Sequence, residues 1–267
     1  MNKNLKRMLP FFNPDNLPEF SFILVCASRR AGKSVLVTDL LLNHMHSRYD
    51  IIVGMCGNHA TCRDYVNSCA IPAKYCHGKW DPDILKAWFE KSDKLLSEGK
   101  TLPRTLFVCD DVLILHSQKG VNRTTSRSPW LHKLSTMGRH YSAGVVLIIQ
   151  DFSGAGGNSY LRNSDAVIIS PSSLYAGRDF SQLAQEYMTG DCYKLNREVL
   201  SMFGKFDFLV LRYWHASRDQ KKLLSWYRVN KQSLPYSNHS HAFRNETRLR
   251  DGLDRLENGS ELPASCR

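Results

Sequence analysis

The sequence predicts an α/β layered fold built on a mainly parallel central sheet, and three observations carry this. Continuous apolar runs occur at Phe20–Cys26 (FSFILVC), Arg104–Asp110 (RTLFVCD) and Gly144–Gln150 (GVVLIIQ). Runs without polar alternation suit strands buried on both faces. Segments with apolar residues at helical spacing separate them, as at Ser34–His44 (SVLVTDLLLNH). Strands that alternate with helices pair in parallel and carry the helices on their faces.

Taken in order, Phe20–Cys26 is the first strand, Ser34–His44 the first helix and Tyr49–Cys56 the second strand. Asp81 to Glu98 reads as a helix, with Pro82 in its first turn and Gly99 after its end. Arg104–Asp110 is a buried strand, Pro129–Tyr141 a helix, and Gly144–Gln150 and Ala166–Ser170 two further strands. Helical patterns follow at Phe180–Met188 and Tyr193–Phe203. Phe206–Trp214 and Leu223–Val229 form a closing C-terminal strand pair. The expected organisation is an N-terminal arm over residues 1–19, one domain over 20–230, and a polar, flexible tail over 231–267.

The chain has 267 residues, 42% of them hydrophobic, which is enough for one sizeable core. No apolar run approaches the length of a membrane span. The basic start MNKNLKRMLPFF lacks the apolar stretch of a signal peptide, so a protein that is not secreted is expected. The formal net charge is +11, of which the tail from Lys231 contributes only +1. The positive charge therefore belongs to the folded part, where it suits a polyanion or a merely basic soluble surface. Of the 8 cysteines, Cys56, Cys62, Cys69 and Cys76 lie near His59 and His77 without a C-x-x-C pair. Free thiols are the expected reading, with a zinc site as the alternative.

The chemistry concentrates at Ala27-Ser28-Arg29-Arg30-Ala31-Gly32-Lys33-Ser34. This fits the P-loop pattern, with alanine in place of the first glycine. A strand ends, a loop turns, and a helix begins near Gly32. Backbone N–H groups of Ser28 to Ser34 and the helix N-terminus then face phosphates. Lys33 reaches the β- and γ-phosphates of ATP, and the Ser34 hydroxyl ligates Mg²⁺. The second strand such a site needs is LFVCDD at Leu106–Asp111. Asp110 would hold Mg²⁺ through water. Asp111 would polarise the attacking water, although it is one methylene shorter than a glutamate and also reads as a helix cap or a solvated acid. Gln150, ending its strand, is placed to report on the γ-phosphate or to be an ordinary strand-end amide. Arg139, in MGRH, and Arg162, in LRNSDAVIIS, are candidates for an arginine finger reaching a neighbour's γ-phosphate, or else solvated side chains.

Together SRRAGKS, LFVCDD, GRHYSAGVVLIIQ and LRNSDAVIIS resemble the poxvirus-type DNA-packaging ATPases of large DNA viruses and polinton- or adintovirus-like elements. These are motors of the FtsK–HerA superfamily. The likeness runs over about residues 20–215. It implies ATP-driven translocation of double-stranded DNA into a capsid by a homo-oligomeric ring. It also implies capsid or portal-vertex partners and a viral protein acting inside the host cell, in nucleus or cytoplasm. Ser117–Pro129 (SQKGVNRTTSRSP), with Lys119, Arg123, Arg127 and no acid, is the candidate DNA-gripping loop, or else a solvated, flexible one. The alternatives are a P-loop kinase of a small molecule and a nucleotide-gated DNA-binding scaffold without turnover.

Overall fold

A computed structural model describes residues 9–69, 71–112, 128–150, 158–171, 203–204, 206–212 and 224–229. Eight strands form one sheet: β1 (Phe22–Cys26), β2 (Ile51–Cys56), β3 (Cys76–His77), β4 (Thr105–Asp110), β5 (Ala143–Ile149), β6 (Ala166–Ile169), β7 (Asp207–Arg212) and β8 (Leu224–Arg228). Their spatial order is β3-β2-β4-β5-β1-β6-β7-β8. The first six run parallel, and β7 and β8 close the sheet antiparallel.

The apolar runs serve both faces at once. Leu24, Cys26, Phe107, Cys109, Val145 and Leu147 enter one core, and their alternates Ile23, Val25, Leu106, Val108, Val146 and Ile148 enter the other. Successive side chains point to opposite faces, so a strand covered twice must be apolar throughout. The covering helices are α1 (Lys33–Leu40), α2 (His59–Cys69), α3 (Pro82–Ser97), α4 (Pro129–Met137) and the short α5 (Asn158–Asn163). Among the described residues no helix is long and apolar enough to cross a membrane.

Helix α3 shows how local sequence fixes its bounds. Asp81 caps its start by accepting from Asp83 N, and Pro82 takes the first turn. Leu85, Phe89 and Leu95 are buried along one stripe. At its end Lys100 N donates to Leu95 O and Gly99 N to Leu96 O, with Gly99 at φ 70°. That paired closure needs a left-handed residue, which glycine supplies. The helix expected over Pro129–Tyr141 divides instead. It is α-helical to Met137 and tightens to a 3₁₀ turn over Gly138–Tyr141.

Helix α2 and the two-residue β3 carry the cysteines and histidines for which a zinc site is the alternative reading. In the structure Cys62 Sγ lies 3.0 Å from Cys76 O, Cys76 Sγ lies 3.4 Å from Cys62 O, and Cys69 Sγ lies 3.3 Å from Thr38 Oγ1. Among the described residues, no three histidine, cysteine or acidic groups converge as a metal site. The helical patterns at 180–188 and 193–202, and the tail from 231, lie outside the described residues.

Part of the N-terminal arm is built into the fold. Phe12 N donates to Trp226 O and Trp226 N to Pro10 O, so residues 10–12 line the outer edge of β8. Leu9, Phe12 and Leu17 are buried. Gly144, the second residue of β5, sits where the Tyr49 ring packs, and a β-carbon there would overlap the Tyr49 hydroxyl. Gly144→Ala is therefore expected to destabilise by about 1–3 kcal/mol. Thermal unfolding would read this as a fall in Tm of roughly 2–10 °C, and an unchanged Tm would contradict the packing.

Candidate nucleotide site

The site sits at the C-terminal end of the parallel strands. Strand β1 stops at Cys26, and buried Ala27 extends it by donating its N–H to Ile149 O at 3.1 Å. A small residue is what this position requires, so alanine serves in place of glycine. The chain then turns, with Ala31 N on Ser28 O at 3.2 Å. Arg30 and Gly32 both take left-handed conformations, φ 64° and 88°. Gly32 is the N-cap of α1 and offers no side-chain cap to the helix's first N–H groups. Gly32, Lys33, Ser34 and Val35 instead line an open cleft of about 540 Å³. Open N–H groups at a helix start bind anions.

Strand β4 delivers the carboxylates. Asp110 is 2% exposed and Asp111 leaves the strand at φ 56°. Aspartate is among the few residues that adopt this conformation readily. The turn is held by Asp111 N on Ile148 O and Gly57 N on Asp110 O. A β-carbon at Gly57 would lie 3.0 Å from Asp111 O, so glycine keeps that crossing open.

Four predicted side chains meet here. Lys33 Nζ lies 3.0 Å from Asp110 Oδ1 and 3.1 Å from Asp111 Oδ1. Gln150 Nε2 donates to Asp111 Oδ2 at 3.1 Å. Burial works against the charge on Lys33, but Asp110 and Asp111 outweigh it and hold its pKa above the usual value. Burial raises the Asp110 pKa, opposed by the Lys33 charge and by a hydrogen bond from Tyr65. Among the described residues, Asp110 Oδ1 is buried and meets only the Lys33 ammonium, at 3.0 Å, so this oxygen keeps acceptor capacity to spare. A hard carboxylate oxygen with spare acceptor capacity, in a site whose cleft Ser34 lines, fits Mg²⁺.

The remaining predictions divide. Ser28, Arg29, Arg30, Gly32 and Ser34 line the cleft with Lys33, Asp111 and Gln150. Ala31 shapes the turn. Arg139 lies just before β5, at the far end of the sheet from the P-loop of its own chain, where its charge acts on Asp165 beside Phe22. Arg162 lies in α5, which leads into β6 at that same end. Lys119, Arg123 and Arg127 fall outside the described residues, while Ser128 caps α4 by accepting from Leu131 N.

Three residues of the site were missed. Tyr65 of α2 donates to Asp110 Oδ2 at 2.7 Å while fully packed. Asn58, which caps α2 through Thr61 N, and Phe206, just before β7, line the cleft. Asn58 had a signal available, as a capping residue directly after a buried strand. Tyr65 and Phe206 had none, since only the sheet order brings them to the P-loop.

Fold and motif geometry together define a P-loop NTPase fold, with a mainly parallel sheet and a nucleotide-type loop after β1. Among solved structures, the chain is similar to the DNA-packaging ATPase B204 of Sulfolobus turreted icosahedral virus, at 13% identity and TM-score 0.50, covering 82% of this chain and 100% of that one. It is also similar to the cytoplasmic domain of the type VII secretion ATPase EccC of Thermomonospora curvata, at 13% identity and TM-score 0.52, covering 92% of this chain and 34% of that one. At this identity the likeness establishes the fold. No protein-family model and no curated protein sequence matches the chain.

Proposed function

We propose that the chain is an ATP-hydrolysing DNA translocase that packages viral genomic DNA into capsids within the host cell. The observation that carries the ATPase reading is the junction of Lys33, Asp110, Asp111 and Gln150 at the mouth of the P-loop cleft. The α1 N-terminus and Lys33 bind the phosphates. Ser34 and Asp110 would hold Mg²⁺, which neutralises charge on the β- and γ-oxygens when bound with ATP. Asp111 orients the attacking water and accepts its proton. Gln150 is bonded to Asp111 and sits at the end of β5, so a change at the γ-phosphate reaches the neighbouring strand through it.

Translocation rests on the family resemblance, the net charge and the basic sequence Ser117–Pro129 that follows β4. A homo-oligomeric ring around double-stranded DNA, docked on capsid or portal-vertex proteins, is the corresponding assembly. Arg139 or Arg162 of a neighbour would act as the finger. The direct test is displacement of a third-strand oligonucleotide from linear duplex. A translocase strips it with ATP and not with AMPPCP. A small-molecule kinase or a non-hydrolysing scaffold leaves it in place. Replacing Lys119, Arg123 and Arg127 with alanine is expected to flatten the salt dependence of duplex binding by up to about 3 in log–log slope. An unchanged slope would remove the loop from the DNA contact.

The scaffold reading has one observation in its favour. Both Asp111 oxygens are engaged, one by Lys33 and one by Gln150, so ATP must draw Lys33 away before water can be activated.

A further inference from the structure

The cleft has two ends, and the strand order tells them apart. Lys33 opens α1 after β1, while Asp111 and Gln150 follow β4 and β5 on one side of β1. The γ-phosphate belongs at that end, where the carboxylate and amide meet the lysine. On the other side of β1 lie β6 and β7. Because β7 runs antiparallel, with Leu209 opposite Ile169, its preceding residue Phe206 stands beyond the C-terminal end of β6, level with the P-loop. Phe206 lines the same cleft. A triphosphate lying on the α1 N-terminus with its γ end at Asp111 sends its sugar and base the opposite way, toward Phe206.

The turn that carries Phe206 is fixed in place. Phe206 is partly buried against the second apolar core. Its carbonyl accepts from Val229 N at 3.2 Å. The next residue, Asp207, accepts from Gly204 N at 2.7 Å and from Nε and Nη2 of Arg228, with its side chain fully buried. A rigid aromatic on a pinned turn loses little freedom when a flat partner stacks on it, and phosphates have no use for its face. We infer that Phe206 is the stacking platform for the nucleobase and makes the site select nucleoside triphosphates over inorganic polyphosphate. This rests on the nucleotide-site reading above.

The test compares binding of AMPPCP and of inorganic tripolyphosphate, each with Mg²⁺, by calorimetry. Phe206→Leu keeps the apolar packing and removes the π-face. It is expected to weaken AMPPCP roughly five- to hundredfold and to leave tripolyphosphate within about twofold. Phe206→Trp restores AMPPCP binding. Equal weakening of both ligands, or of neither, overturns the platform while the nucleotide site stands. A wild-type protein that binds neither ligand overturns the nucleotide-site reading itself, and the platform with it.

Discussion

Asp111→Asn is expected to lower kcat for ATP hydrolysis by about 10²–10⁴-fold while ATP affinity stays within a few fold. The substitution is chosen from the backbone. Asp111 sits at φ 56°, and asparagine tolerates that conformation as aspartate does. The asparagine side chain retains an oxygen facing Lys33 or Gln150, so the junction keeps its shape. What disappears is the charge that takes a proton from water. Binding is spared because a neutral side chain at this place no longer repels the γ-phosphate. Single-turnover hydrolysis and analogue titration separate the two effects. Unchanged hydrolysis would reduce Asp111 to a turn residue.

Lys33→Ala is expected to be the most disruptive single change, in stability as well as activity. The ammonium is the sole cation within ion-pair distance of Asp110 and Asp111 among the described residues. Removing it leaves Asp110 buried with only the Tyr65 hydrogen bond, a loss of about 3–5 kcal/mol for a fully buried pair and less here, where Asp111 is partly exposed. The pH dependence has a definite sign. Burial already raises the Asp110 pKa above 3.8 in the wild type. Without Lys33 it rises further, so the folded variant binds a proton more tightly than the unfolded chain. The variant therefore gains stability as pH falls through that raised value toward 3.8. The wild type keeps the Lys33 contribution at neutral pH, because the raised Lys33 pKa lies above 10.5 and the contribution is lost only as pH rises past it. The Tm gap between the two proteins should thus narrow as pH falls from neutral toward 3.8. A constant gap would mean that Asp110 does not carry the deficit.

The sheet was legible in the sequence because every central strand is covered on both faces, and double coverage leaves an unbroken apolar run. The P-loop and LFVCDD were legible because phosphate chemistry restricts residue type at fixed positions. Helix α2 was obscured by its composition. Only Tyr65 and Cys69 are buried along it, so its apolar stripe is too thin to read against a run of cysteines and histidines. Residues 9–17 were expected as part of an arm outside the domain, yet Leu9, Phe12 and Leu17 are buried and Phe12 pairs with Trp226 of β8, a contact that spans most of the chain. Tyr65 and Phe206 reach the site through the order β2-β4-β5-β1-β6-β7, which has no local signature. The alanine at 27 departed from the P-loop pattern, and its burial against β5 explains why a methyl group is accepted there.

On the proposed function, this cleft hydrolyses ATP and duplex DNA stimulates the hydrolysis. Steady-state ATP turnover, with and without linear double-stranded DNA, tests it most directly. Lys33→Ala, verified as folded by circular dichroism, is the control. The expected result is turnover that rises with DNA and vanishes in the variant. Turnover indifferent to DNA, or tight ATP binding with no turnover in the presence of DNA, would contradict it.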